Sequence, residues 1–398
     1  RTRERLFAMI LMWLGSFVII LFGLLESQKQ ISKLFVNLQK NFYEKGFESS
    51  FIKMLTSALD VVLLEASPQK SLYSAMALYN LRVLNLRSSV LIMSLSTLGA
   101  WWMLILGLLF LNLNGFFILG ICAIAYVGVW KAPRAEIVLK WILGMGLFLL
   151  GGEMLLQRSS VLQTLLGQSE LAFALADGRF GAVLTILGVS VLLSLVIQVE
   201  FWSVVLALGL LVTSMISFNG ALALVAGERI GRMVLFWWRS RSLNQDCRRV
   251  GWQFSLASCV GVLVGFFVAG EARSVFDLGF SVDLSSFQDK TLQFMFLFAV
   301  ILFFQCVAQM AWGHFGCQVK VDELQDPRYI NPAWKDYGLL SEAAMLWGQT
   351  KVHKRLGEIR YHLQGLGTLQ SGQVPGPIQE RLRAEEEQLS VLDQSLKG

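Results

Sequence analysis

The sequence predicts an all-α polytopic membrane protein: two inverted repeats with re-entrant hairpins and broken helices, followed by a cytoplasmic helical hairpin. Three observations predict it. Apolar runs long enough to span a bilayer recur at 7–25, 99–113 with 114–130, 138–157, 251–270 and 291–313. Only 16% of the 398 residues are charged and 55% are hydrophobic, with mean hydropathy +0.57; a soluble domain carries about 25% charged residues. Matching segments also recur at a near-constant spacing in the two halves.

The first apolar run follows Arg1, Arg3 and Arg5, as in a signal peptide. Its exit, LLESQKQ, offers no small-residue cleavage pattern, so an uncleaved anchor is expected. In 26–50, Ile31, Leu34, Phe35, Leu38 and Phe42 share one helical face with lysines around it. That reads as a helix lying on the membrane surface, the alternative being a soluble connector helix. Lys29, Lys33, Lys40 and Lys45 leave open the side on which the N-terminus lies.

Residues 51–66 (FIKMLTSALDVVLLEA) are broken by Ser67-Pro68-Gln69-Lys70 before 71–84 resume. A proline after a short apolar helix predicts a hairpin over about 51–85 that turns back inside the membrane. Residues 180–197 and 201–217 form a similar pair around Gln198-Val199-Glu200, predicting a second hairpin over about 180–217. Glu200 is the only charged residue between Arg179 and Glu228. A carboxylate inside a bilayer is costly and marks a candidate functional position.

The repeat is visible in three elements. WLGSFVIILFGLLE (13–26) resembles WILGMGLFLLGGE (141–153), with Gly23 and Gly151 128 residues apart. Glu65 and Gln198 at the hairpin breaks are 133 apart, and the segments SLSTLG (94–99) and AGERIG (226–231) end on glycines 132 apart. Paired broken helices in two halves point to a transporter fold with a site at the midplane. The division is then a first repeat in 1–130, a second in 131–250, two further transmembrane helices in 251–316 and a cytoplasmic helical tail in 317–398.

Charge sets the topology. Arg239, Arg241, Arg248 and Arg249 form one basic loop and Lys131, Arg134 and Lys140 another, whereas 271–290 holds Glu271, Asp277, Asp283 and Asp289. The positive-inside rule puts 236–250 and the tail in the cytoplasm and 271–290 outside. The net charge of +6 is thus explained by topology, and no nucleic-acid partner is expected. In the tail, Val352, Leu356, Ile359, Leu363 and Leu366 make one stripe and Ile378, Leu382, Leu389, Leu392 and Leu396 another, joined by GTLQSGQVPGP. Each stripe needs a partner: the other helix, a second copy or another protein subunit.

Cys122, Cys247, Cys259, Cys306 and Cys317 show no CxxC spacing, and His314, His353 and His362 make no ligand pattern. No metal site or cofactor is expected. Gly144-Met145-Gly146 lies inside an apolar run and reads as close helix packing. No Ser/His/Asp or Cys/His constellation and no P-loop occurs, so the chain does not read as an enzyme.

These segments resemble the sodium/phosphate cotransporter family in its bacterial form with a PhoU-like cytoplasmic tail. WILGMGLFLLGGEML is similar to that family's leading span, FGAVLTILGV (180–189) to its approach to the hairpin, and SMISFNGALALVAGERIG (214–231) to the stretch ending in its second motif. RYINPAWKDYGLLSEAAMLWGQTKVHKRLGEI (328–359) resembles the start of its cytoplasmic domain. The resemblance implies two inverted repeats, each with a Q-S-S-S hairpin tip and a G-A-N-I-G-T-T motif around a sodium and phosphate site. Here the second tip is Gln198-Val199-Glu200-Phe201 and its motif Gly227-Glu228-Arg229-Ile230-Gly231-Arg232-Met233. The first tip is Glu65-Ala66-Ser67-Pro68, and the matching motif includes Ser96 and Thr97.

Small hydroxyls and unwound carbonyls hold Na⁺, and half-helix N-termini hold an anion. Valine, phenylalanine and tryptophan supply no such ligand, and Glu65, Glu200 and Glu228 repel phosphate. Bulk at Trp101, Trp102, Phe201 and Trp202 is expected to fill the site. Internal charges are expected to replace the transported ions, with Lys70 and Arg229 as cations paired to Glu65, Glu200 and Glu228. The alternative is that Lys70, Arg229 and Glu200 snorkel to the interface or line a water-filled cleft.

The reading that follows is a degenerate transporter, not competent for sodium-coupled phosphate transport, acting as a scaffold or regulatory subunit of a membrane complex. Its partners are the lipid bilayer and other membrane or cytoplasmic subunits, or a second copy bound through the tail. The alternative is an active secondary transporter of phosphate or another anion, with sodium or with protons carried by Glu65, Glu200 or Glu153.

Overall fold

In the computed structural model, the described residues are 11–27, 29–30, 33–35, 55, 58–59, 67–80, 84–109, 133–166, 180–197, 202–212, 214–243, 245–279, 287–315, 349–354, 356–360, 386–387 and 390. They are almost wholly helical and contain no strand. The main helices are α1 (Leu11–Ser27), α2 (Pro68–Asn80), α3 (Leu86–Leu109), α4 (Pro133–Leu166), α5 (Phe180–Val196), α6 (Trp202–Val212), α7 (Phe218–Ser240), α8 (Gln245–Gly279) and α9 (Phe287–Phe315). Most of the expected surface helix at 26–50, the 114–130 run, the ascending limb of the first hairpin and the second tail stripe fall outside the described residues.

Three of these helices contain stretches long and apolar enough to cross a bilayer: Glu136–Leu155, Gln245–Ala272 and Lys290–Gly313. The surface around them suits hydrocarbon rather than water. On α5, Phe180, Leu184, Leu192 and Val196 are all more than half exposed, while Ser190 and Ser194 are buried. A soluble protein would hide that face and expose the serines. The chain is a membrane protein.

Helix ends follow local chemistry. Ser67 caps α2, its Oγ accepting the Lys70 N–H at 3.3 Å, and Pro68 takes the first helical position, where a missing N–H costs nothing. Ser217 caps α7 through the Gly220 N–H at 3.1 Å, after a turn in which Ser214 takes φ 56°. The predicted break at 67–70 therefore coincides with the start of α2, whereas 198–201 lie outside the described residues.

With no hydrophobic drive between helices in lipid, close approach depends on small residues. Antiparallel α1 and α4 meet through Ser16, Gly23 and Ser27 on one side and Gly144 and Gly151 on the other. A Cβ on Gly23 would lie 2.6 Å from the Gly144 carbonyl oxygen, and one on Gly151 2.9 Å from that of Ser16. The Ser27 hydroxyl donates to the Trp141 carbonyl at 3.3 Å. Helices α8 and α9 form a second antiparallel pair, Gly261 against Phe304–Ala308 and Gly265 against Ile301, with Gln309 donating to Ser258 at 2.5 Å.

The ends of α9 mark the depth of the fold. At its start Lys290 donates to the Ser214 hydroxyl at 3.3 Å, and near its end Gly313 packs on Val90. The turn before α7 and the turn before α3 thus sit at opposite ends of a 24-residue apolar stretch, about 35 Å apart at the helical rise. One hydrophobic cluster joins the first tail stripe, Val352, Leu356 and Ile359, to buried residues of α2, α3, α7 and α8. The partner of that stripe is the chain's own body. Arg360 in turn meets Glu386 at 2.9 Å, tying the two tail segments. Cys247, Cys259 and Cys306 are free thiols.

Candidate functional site

The α2 start, the middle of α3 and the middle of α7 converge on one small cavity. Pro68, Gln69, Ser96, Thr97, Glu228 and Arg229 line it, with Leu72, Tyr73, Arg232 and Met233 completing the wall. Ser96 and Glu228 are 132 residues apart, as are Thr97 and Arg229. Positions matched by the repeat spacing therefore face the same space.

The hydroxyls there are already used. Ser96 Oγ donates to the Met93 carbonyl at 2.6 Å and Thr97 Oγ1 to the Ser94 carbonyl at 3.0 Å. Both serve their own helix, the local bonding that hydroxyls favour when no ligand takes them. Ser67 caps α2, and Lys70 lies half-buried one residue beyond Gln69.

Glu228 is 1% exposed. Arg232, one turn further along α7, donates from Nε to its Oε1 at 2.5 Å, and the guanidinium Nη2 lies at the same distance. The Ser203 hydroxyl donates to Oε2 from α6. Taking a carboxylate out of water costs several kcal/mol unless charge and hydrogen bonds replace the solvent. Arg232 supplies the charge and Ser203 the second bond. This corrects the expected pairing: the described ionic partner of Glu228 is Arg232, neither Lys70 nor Arg229. The i, i+4 spacing brings Arg232 within reach without moving any other element. Arg229 sets its guanidinium 5.6 Å from the Phe298 ring centre on α9.

Gly227 and Gly231 face α5. A Cβ on Gly227 would lie 2.5 Å from the Leu187 carbonyl oxygen, and one on Gly231 1.7 Å from Ser194 Oγ. Opposite them Ser190 donates to the Leu224 carbonyl and Ser194 to that of Val191 at 2.7 Å. The two glycines thus let α5 and α7 touch. Trp202, expected to fill the site, is buried instead among Trp13, Phe17, Ile20 and Leu155, where it joins α6 to α1 and α4. Glu65, Gln198, Glu200 and Phe201 lie outside the described residues, as do the side chains of Trp101 and Trp102.

Three contributors escaped the sequence reading. Arg232 could have been found, since Glu-x-x-x-Arg on one helix is a recognisable ion-pair spacing. Ser203 depends on how α6 lies against α7, and no spacing reveals that. Tyr73 is 2% exposed, stacks edge-on to Phe236 at 5.3 Å and accepts from Arg239 Nη1 at 3.4 Å.

The cavity holds about 20 Å³, room for roughly one water. Ligand pockets commonly run to about 300–1,000 Å³. No known family, curated protein or solved structure matches the chain.

Proposed function

We propose that this chain is a degenerate sodium/phosphate-cotransporter-like membrane protein that no longer moves phosphate and acts as a scaffold or regulatory subunit of a membrane complex. One observation carries the reading. Where the two repeats would form their common site there is a 20 Å³ space, with a carboxylate bonded internally to Arg232 and Ser203. An anion of four oxygens does not fit, and the carboxylate would repel it.

Inverted repeats are part of the proposal. Shifting the Ser16–Gly151 contact by the 128-residue spacing and exchanging partners produces Gly144–Gly23, the contact made beside it. A local two-fold axis between α1 and α4 would impose that relation. Helices α2 and α6 and helices α3 and α7 match at spacings of about 133 and 132 residues, and their turns lie at opposite ends of α9. By the positive-inside rule the basic 239–249 segment would put the α7–α8 end in the cytoplasm of a bacterial inner membrane, and the docked first tail stripe with it. Partners would then be other subunits or a second copy bound through the remaining tail.

The buried carboxylate favours the second reading, an anion transporter coupled to protons, since intramembrane acids commonly carry them. Uptake of radiolabelled phosphate by the reconstituted chain separates the two, under a sodium gradient, a proton gradient and neither. The scaffold reading expects no uptake in any arm from folded, inserted protein, and stoichiometric partners on gentle purification. Uptake driven by either gradient would sink it.

A further inference from the structure

At the α7–α8 corner, with no residue in common with the cavity, Trp237, Arg241, Arg248, Arg249 and Trp252 line an open cleft of about 460 Å³. Its wall is three guanidinium groups on two indoles. Arg241 lies 4.0 Å from the Trp237 ring centre and 5.0 Å from that of Trp238, and the Trp237 and Trp252 rings are 4.9 Å apart. All three arginines are exposed, and no carboxylate lines the cleft among the described residues. Arginine forks match phosphate oxygens two at a time, and stacking on an indole holds a fork in place before a ligand arrives.

The cleft also lies where a lipid headgroup would be. Arg248, Arg249 and Trp252 open the apolar span Gln245–Ala272, and Trp238, 63% exposed, stands beside them as interfacial tryptophans do. From Trp252 an exposed apolar stripe runs along α8 through Leu256, Val260, Val264 and Phe267 at helical spacing. A free phosphate would use only the arginines. A lipid would use both, its headgroup in the cleft and an acyl chain along the stripe. We propose that this corner is a binding site for the phosphodiester headgroup of an anionic phospholipid, retained from the leaflet facing the basic segment.

The test is native mass spectrometry of the full chain in detergent, with phosphatidylglycerol or phosphatidylcholine added at equal concentration. Phosphatidylglycerol is expected to be retained at least tenfold better. Arg248→Gln/Arg249→Gln, which leaves Arg241 and the end of α7 intact, should lower its retention about thirtyfold, from two lost headgroup charges. Arg87→Gln, an exposed arginine outside the cleft, should leave retention unchanged. Should the double variant fold poorly, each single variant is measured alone, with about a fivefold loss expected. Equal retention of the two lipids, or full retention by these variants, would overturn the site. Displacement by millimolar inorganic phosphate, with Leu256→Ser/Val260→Ser having no effect, would overturn the lipid assignment in favour of free phosphate.

Discussion

Ser203 on α6 donates its hydroxyl hydrogen bond to the buried carboxylate of Glu228 on α7, while Arg232 holds the other oxygen of that carboxylate. The bond from Ser203 ties α6, the return limb of the proposed second hairpin, to the long helix behind it. A moving hairpin would have to break it. The ion pair alone, with both partners on α7, would not resist such movement.

Breaking one side of this arrangement should cost more than removing all of it. Arg232→Met leaves Glu228 buried without its cation, and a loss of about 3–5 kcal/mol is expected. The double variant Glu228→Gln/Arg232→Met should recover most of that loss, because no buried charge remains. Thermal or denaturant unfolding in detergent, with all variants measured in one buffer, provides the comparison. Equal stability of Arg232→Met and the parent would show that the pair is solvated and unimportant.

The glycines of the α5–α7 contact make a sharper test. Gly231→Ala puts a methyl group 1.7 Å from Ser194 Oγ and 2.7 Å from the Val191 carbonyl oxygen. The serine can rotate but the backbone cannot, so the helices must separate, at an expected cost of at least about 2 kcal/mol. Gly188→Ala, on α5 with nothing within 4 Å of the new carbon, should be neutral or stabilise by up to about 1 kcal/mol. The contrast, read as a difference in unfolding midpoint, would vanish if α5 did not pack here.

Much of this was legible from residue order, and the reasons differ by element. Proline after serine fixed the start of α2, because both the cap and the ring constraint are local. The spacing of about 132 residues brought Ser96 and Glu228 to notice as equivalents before any fold was known. The role of Gly227 and Gly231 was not legible: the same glycines serve a ligand loop or a helix contact, and only the position of Ser190 and Ser194 decides. For Glu228 the expected cation was the wrong one, because Arg232 stands one turn away on the same helix, and that nearness decides the pair. Trp202 shows the same limit, since a bulky residue beside a hairpin tip can fill the site or the neighbouring helix contact.

Buried amide groups on α9 offer a stabilising change. Gln305 is fully buried, and among the described residues neither its Nε2 nor its Oε1 meets a hydrogen-bond partner. An unsatisfied buried polar group costs about 1–3 kcal/mol. Gln305→Leu keeps much of the volume and should raise stability by about that amount, seen as a higher unfolding midpoint. A fall of similar size would mean that the amide is satisfied by water or by a bound group, and would mark that part of α9 as a polar site.

The proposed inverted arrangement predicts which side of the membrane each turn faces. Asn85 and Ser242 lie at the end of the molecule where Gly313 meets Val90 and Met76 approaches Gly251, whereas Ser214 lies at the other end with Lys290. Asn85→Cys, Ser242→Cys and Ser214→Cys, each placed alone in a background lacking the five native cysteines, should therefore separate by sidedness. In intact cells an impermeant maleimide should label Ser214→Cys only. In inside-out vesicles it should label Asn85→Cys and Ser242→Cys, because under the positive-inside rule the arginines at 239–249 would hold that end in the cytoplasm. Labelling of Asn85→Cys and Ser214→Cys from one side would rule out opposite insertion of the two halves, however well their spacings match.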